Sequence, residues 1–231
     1  MSKGKKSIMK TKAKEDEFVN KIIYDLWSPS ISQSNAISTF LSLTSSKITL
    51  KEKNLLELTL NYCYKMQNLI KTYELINKFN YTKSDLHYEY IDLYALTKEY
   101  LEDYKVVFKC NDIKVEYSSK KPFVIYADGD MTEKIIRIIL MQSIYSAKQN
   151  STINIEFSDN KNNLSFYVKN KSFYMEFDRI KNIKKPTIED EKIVAPGYYL
   201  VKELIHLHFG TVITENYPDG THIFGFTIPK R

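Results

Sequence analysis

The sequence predicts an α+β protein, with an N-terminal antiparallel helical hairpin followed by an α/β sandwich. Apolar residues recur at three- and four-residue steps through the first third of the chain, the period of helices with one covered face. Beyond residue 82, short stretches of strand period interleave with helical ones. The chain's 231 residues, 43% of them hydrophobic, suffice for one large domain or two small ones.

The first helix is expected over residues 15–29, EDEFVNKIIYDLWSP. Phe18, Val19, Ile22, Ile23 and Leu26 gather on one face, while Tyr24 and Ser28 point roughly opposite, so the phenol is displayed. Trp27 falls beside Tyr24 as an aromatic anchor on the outward face. The helix continues past Pro29, kinked there, through Ile31, Ile37, Phe40 and Leu41. After a turn at 44–47, a second helix from 49 or 51 to about 80 carries Leu55, Leu58, Tyr62, Met66, Leu69, Tyr73 and Ile76. Each helix spans roughly 42 Å at 1.5 Å per residue. A hairpin that long cannot hide its own stripes, which predicts a homodimer with the paired hairpins as a four-helix bundle. The expected organisation is a basic disordered tail at 1–14, the dimerisation hairpin at 15–82 and the sandwich at 83–231.

Within the sandwich, a short extended piece at 87–90 leads to a helix over 93–104. Strands are expected at 106–110, 113–117 and 123–126, then a strong helix over 131–148. Residues 152–157 and 164–169 read as a β-hairpin around the polar turn 159–163. A loop at 179–191 precedes a helix that Gly197 opens and Gly210 stops with a left-handed cap. Two strands, 211–215 and 222–228, close the chain around Pro218-Asp219-Gly220.

Composition excludes several classes. No apolar run approaches the roughly 20 residues needed to span a bilayer, and the N-terminus lacks a signal-peptide core, which predicts a cytoplasmic protein without a membrane span. Cys63 and Cys110 show no CxxC spacing, so no metal site or disulfide framework is expected and both read as buried thiols. Of the net charge of +6, six lysines fall within the first fourteen residues, leaving the remainder near balance and nucleic-acid binding disfavoured. None of the four histidines lies on the first hairpin.

Residues 18–29 resemble the dimerisation helix of sensor histidine kinases, where a Phe, five residues, then His-[Glu/Asp]-Leu-x-[Ser/Thr]-Pro carries the phosphorylated histidine; Tyr24 stands at that position. ADGDMTEKIIRIILMQSIYSA resembles the family's aspartate-plus-helix stretch, with Asp128 as the aspartate and Gln142 where a magnesium-binding asparagine is expected. FYVKNKSFYM resembles the adenine-binding V-x-D-x-G-x-G-I, with Asn170 for the aspartate and Ser172 and Tyr174 for the glycines. APGYYLVKELIHLHFG keeps Gly197, Leu200, Val201, Lys202, His208 and Gly210 of the family's phosphate-loop helix, with Ala195 for its first glycine. The ending DGTHIFGFTIP resembles the family's closing strand. The resemblance implies a histidine-kinase or gyrase-type sandwich whose nucleotide pocket is degenerate.

The departures imply loss of chemistry. Asn170 offers an amide in place of a charged acceptor for the adenine amino group. Tyr174 brings a ring where backbone approaches the nucleotide, and Gln142 sets its amide oxygen one methylene too far for an octahedral ion. Neither ATP nor Mg²⁺ is therefore expected as a cofactor, and without a histidine on the hairpin no histidine phosphotransfer passes through it. The expectation is a pseudokinase that docks a response-regulator receiver domain or a partner kinase through Tyr24, Trp27 and Ser28. The alternatives are a phosphatase of a phosphorylated receiver, with Asp25 and Ser28 placing the water, and a divergent active kinase.

Overall fold

A computed structural model describes residues 3–44, 47–78, 82, 85–172 and 196–230. The chain divides into two compact units, Met1–Phe79 and Asn80–Arg231.

The first unit is the hairpin of α1 (Lys3–Thr44) and α2 (Leu50–Lys78). The helix begins at Lys3, so the lysine-rich stretch expected as a disordered tail is helical from that residue. Pro29 lies inside α1; lacking an N–H, it leaves the Asp25 carbonyl without its intrahelical donor. Helix α2 opens on a capping box: Thr49 Oγ1 accepts from Glu52 N (3.3 Å), while Glu52 Oε2 accepts from Thr49 N (2.8 Å) and Thr49 Oγ1 (2.7 Å). These bonds hold the Glu52 carboxyl below its usual range.

The α1–α2 seam is partly polar. Gln67 Nε2 donates to Ser30 O (3.1 Å) and Ser34 Oγ (3.0 Å), with Ser30 and Ser34 both buried. Partnered polar groups at a helix interface fix which turn meets which. Cys63 is buried and free beside them.

The second unit is a two-layer sandwich. Its sheet runs β2 (Lys114–Tyr117), β4 (Thr152–Asp159), β5 (Asn163–Lys171), β7 (Thr221–Pro229) and β6 (Thr211–Asn216), with β2–β4 parallel and the other pairs antiparallel. Alternate residues, Ile153 and Ile155, Phe166 and Val168, Phe224 and Phe226, point into the core against α5 (Gly129–Ser146) and α6 (Pro196–Leu207), as strand period dictates. A two-stranded antiparallel sheet of β1 (Tyr88–Asp92) and β3 (Val124–Asp128) lies apart from it. Helix α3 (Leu93–Glu102) is capped by Asp92, which accepts from Tyr94 N (3.0 Å) and Phe123 N (2.9 Å).

Two local expectations are corrected. Residues 106–110, read as a strand, form the short helix α4 (Lys105–Cys110). Val-Val-Phe favours strand locally, but Val107 is buried in the core and Asn111 Nδ2 caps its carbonyl (2.9 Å), so packing overrides propensity. The left-handed residue ending α6 is Phe209 (φ 61), not Gly210. Gly210 is required for another reason: a Cβ there would stand 2.4 Å from Thr227 O on β7.

Candidate functional site

Tyr24 is 71% exposed on α1, and Asp25 and Ser28 are exposed nearby. Trp27 is half-buried, with the Lys71 ammonium of α2 5.1 Å from its ring centre. The expected pairing of both aromatics on one outward face is thus not what the helix presents, because Trp27 turns toward α2 while Tyr24 projects into solvent. Leu26, expected on the covered face with Ile23, is half exposed. The side chains of Phe18, Val19 and Ile22 lie outside the described residues.

The boxes of the second unit meet around the C-terminal end of α5. Asn170, only 4% exposed, donates from Nδ2 to Ser143 O (3.0 Å) and Ser146 Oγ (3.4 Å) on α5. The segment after it is fastened on both sides. Lys148 N donates to Lys171 O (2.9 Å), Ala147 forms a bridge with Ser172, and Ser172 N donates to Gly220 O (3.1 Å). Gly197, buried at the start of α6, packs on α5, where an added Cβ would stand 2.6 Å from Ile138 Cγ2 and 3.3 Å from Gln142 Nε2. Gln142 is half-buried at that contact. Tyr174, Ala195 and the loop at 179–191 lie outside the described residues.

Sequence reasoning missed the role of Asp128. Its Oδ1 accepts from Met131 N (2.9 Å), capping α5, and its Oδ2 accepts from His87 N (2.7 Å). Asp128 N in turn donates to His208 Nε2 (3.2 Å), whose Nδ1–H donates to Leu204 O (2.8 Å). That pattern fixes a neutral tautomer and ties the end of α6 to the start of α5. The signal was present as an aspartate before a helix and a histidine ending another, but nothing in the sequence joins them.

His222 lies at the other end of α5, paired across the sheet with Asn170. It is buried, its Nδ1 bonds to Asn216 Oδ1, and Ser172, Lys148 and Asp219 surround it. Burial, then the Lys148 charge, pull its pKa below the usual 6.5, against the opposing pull of the Ser172 backbone and Asp219. The unfolded chain then takes up the proton first on acidification, so this contribution is present above 6.5 and is lost as pH falls below it. Urea midpoints at pH 7.5 and 5.5 are expected to differ less in His222→Gln than in wild type; equal differences would remove the assignment.

Among the described residues no cluster of His, Cys, Asp and Glu could hold a metal ion, and no helix is long and apolar enough to cross a membrane.

A helical hairpin followed by a two-layer sandwich with this mixed sheet defines a fold class, that of the histidine-kinase dimerisation and catalytic domains. No family model matches the chain, and no curated protein matches it. Solved structures do. Histidine kinase ThkA in complex with the response regulator protein TrrA matches over 98% of this chain and 66% of that one, at 15% identity and a TM-score of 0.59. Histidine kinase AdeS of Acinetobacter baumannii matches over 87% of this chain and 95% of its own, at 14% identity and 0.53. The ThkA catalytic domain alone covers 62% of this chain and 97% of its own, at 19% identity and 0.53. At these identities the likeness is one of fold.

Proposed function

We propose that this protein is a pseudo-histidine kinase, a dimeric scaffold that docks a response-regulator receiver domain or a partner kinase without autophosphorylation and without ATP. The carrying observation is Tyr24, a solvent-exposed phenol where the resemblance sets the phosphorylated histidine.

The hairpin geometry supports a dimer that leaves Tyr24 accessible. Leu26, Phe40 and Leu43 on α1, and Leu55, Leu58, Tyr62 and Met66 on α2, are exposed in the single chain. At 100° per residue, each stripe lies about 110° round from its helix's contact with the other, in the same rotational sense. In an antiparallel pair that places both stripes on one side of the hairpin, a seam for a second copy. Tyr24 and Ser28 fall on the opposite flank. The complex of ThkA with a response regulator supports a receiver domain as occupant of that flank.

The nucleotide corner argues for the same reading. The amide nitrogen of Asn170 is committed to Ser143 O, and Gln142 packs beside Gly197. That leaves Asn170 Oδ1 as an uncharged acceptor for an adenine amino group, and a Gln142 side chain packed against Gly197 serves poorly as a magnesium ligand.

Asp25 and Ser28, both exposed on α1 near Tyr24, favour phosphatase action on a docked receiver as the second reading. Calorimetric titration with Mg-ATP is expected to give no heat of binding, and γ-labelled ATP no labelled protein. Capture of receiver domains is expected from wild type and to fall about tenfold or more with Tyr24→Ala, the loss of one interface anchor. Robust ATP turnover, or unchanged capture by Tyr24→Ala, would overturn the scaffold reading. Faster decay of a phosphorylated receiver, abolished by Ser28→Ala, would establish the phosphatase instead.

A further inference from the structure

Strand β2 is an edge of the five-stranded sheet. Lys114 N donates to Ser151 O (3.0 Å) and Ser118 N to Ile155 O (2.9 Å), both toward the β4 side. In a parallel ladder alternate residues face the same neighbour, so Glu116 also turns to β4, and the main-chain N–H and C=O of Val115 and Tyr117 turn to the open edge. A row of such groups is a template for one more strand.

Beside that edge lies a groove of about 780 Å³ between β2, α3 and α4. Its apolar lining comes from Tyr94 and Leu101 on α3, Phe108 on α4, and Val115 and Tyr117 on β2. The Tyr94 and Tyr117 rings meet edge to face at 5.3 Å, and burial pushes the Tyr117 phenol up to about 12, so it stays a neutral wall. The rim is cationic. Lys105 is paired with Glu102, but Lys98 and Lys120 have no carboxylate partner among the described residues, leaving an excess of one cation once Glu116 is counted.

We infer that the β2 edge and its groove are a second docking site, taking an extended acidic segment of a partner protein as an added strand. Main-chain bonds to Val115 and Tyr117 hold the segment, its alternate apolar side chains enter the groove, and its carboxylates meet Lys98 and Lys120. Strand addition explains why an apolar groove borders unpaired backbone, and the rim charge selects an acidic occupant over a basic one. The site is independent of the Tyr24 face, so either can fail alone.

The test uses the full chain and a fluorescein-labelled probe, Glu-Val-Glu-Phe-Glu-Val-Glu. The probe is expected to bind saturably, with the analogue carrying lysine for glutamate weaker by about tenfold or more. Methylating the probe's backbone nitrogens along one edge is expected to abolish binding, a readout independent of any protein variant. Val115→Pro removes an N–H that the sheet does not use, so the circular dichroism spectrum is expected to stay unchanged while affinity drops about tenfold or more. Lys98→Glu with Lys120→Glu is expected to reverse the preference between the two probes. The site is overturned if the acidic probe does not bind at millimolar concentration, if the methylated probe binds equally, or if Val115→Pro leaves affinity intact. It is equally overturned if Val115→Pro changes the oligomeric state, which would assign the edge to a second copy.

Discussion

Glutamate at both Leu58 and Met66 is expected to convert a dimer into a monomer, with the mass in solution falling from twice 27.2 kDa to 27.2 kDa by light scattering. Both side chains are 36% exposed in the single chain and lie on the α2 stripe, so in a monomer the longer glutamate side chains can carry their charge out to water. In the proposed bundle they would face the partner's stripe, and each copy would carry two carboxylates into an apolar seam. An ion withdrawn from water without a partner costs several kcal/mol. Four of them per dimer exceed what separates a nanomolar complex from one too weak to populate at micromolar protein, about 4 kcal/mol. Tyr24→Glu is the control. It introduces the same charge on the opposite flank, and the mass is expected to stay that of a dimer. A wild-type monomer at tens of micromolar, or a double variant that remains dimeric, would show that the stripe is covered by something other than a second copy.

The helical hairpin and the exposed apolar stripe of α2 were legible in the sequence because stripes of three- and four-residue steps survive any detail of packing, and a hairpin has only one other helix against which to hide them. The sandwich was legible in outline for a related reason. Period-two runs such as those around Phe166 and Phe226 have one covered face whatever lies over it. What escaped was decided by contacts distant in sequence. Val107 is helical because the core takes it there, against the local preference of Val-Val-Phe. Gly210 is fixed by the carbonyl of Thr227 and not by its own dihedral angle, while Phe209, a residue with no reputation for left-handed backbone, takes the cap. Trp27 and Tyr24 are three positions apart, and a helical wheel does not decide which of them α2 will cover. Asn170 reads as a weakened adenine acceptor, and its donor bond to Ser143 O depends on where α5 ends. The β2 groove was invisible, since it exists only because β2 is an edge strand, a property of sheet order.

Replacing Asp128 by alanine is expected to cost the second unit about 3 kcal/mol. The side chain is 5% exposed and both of its oxygens are in use. Oδ1 caps α5 at Met131 N, and Oδ2 holds His87 N at the approach to β1. Losing an N-cap of this kind costs about 1–2 kcal/mol, and leaving a second, part-buried donor unpaired adds about 1–2 more. Asp128→Asn retains one acceptor but turns an NH₂ against the other N–H, so an intermediate loss is expected. The link to His208 is separable, because Asp128 donates to it from its backbone nitrogen, which every substitution but proline keeps. His208→Ala removes that acceptor and the bond to Leu204 O together, so its cost should add to that of Asp128→Asn only if the two attachments act independently. The measurement is urea unfolding followed by tyrosine near-ultraviolet circular dichroism, since the single tryptophan, Trp27, reports on the other unit. An unchanged midpoint in Asp128→Ala would mean that water replaces the carboxylate at both N–H groups. The aspartate before α5 would then owe its place to something other than this fold.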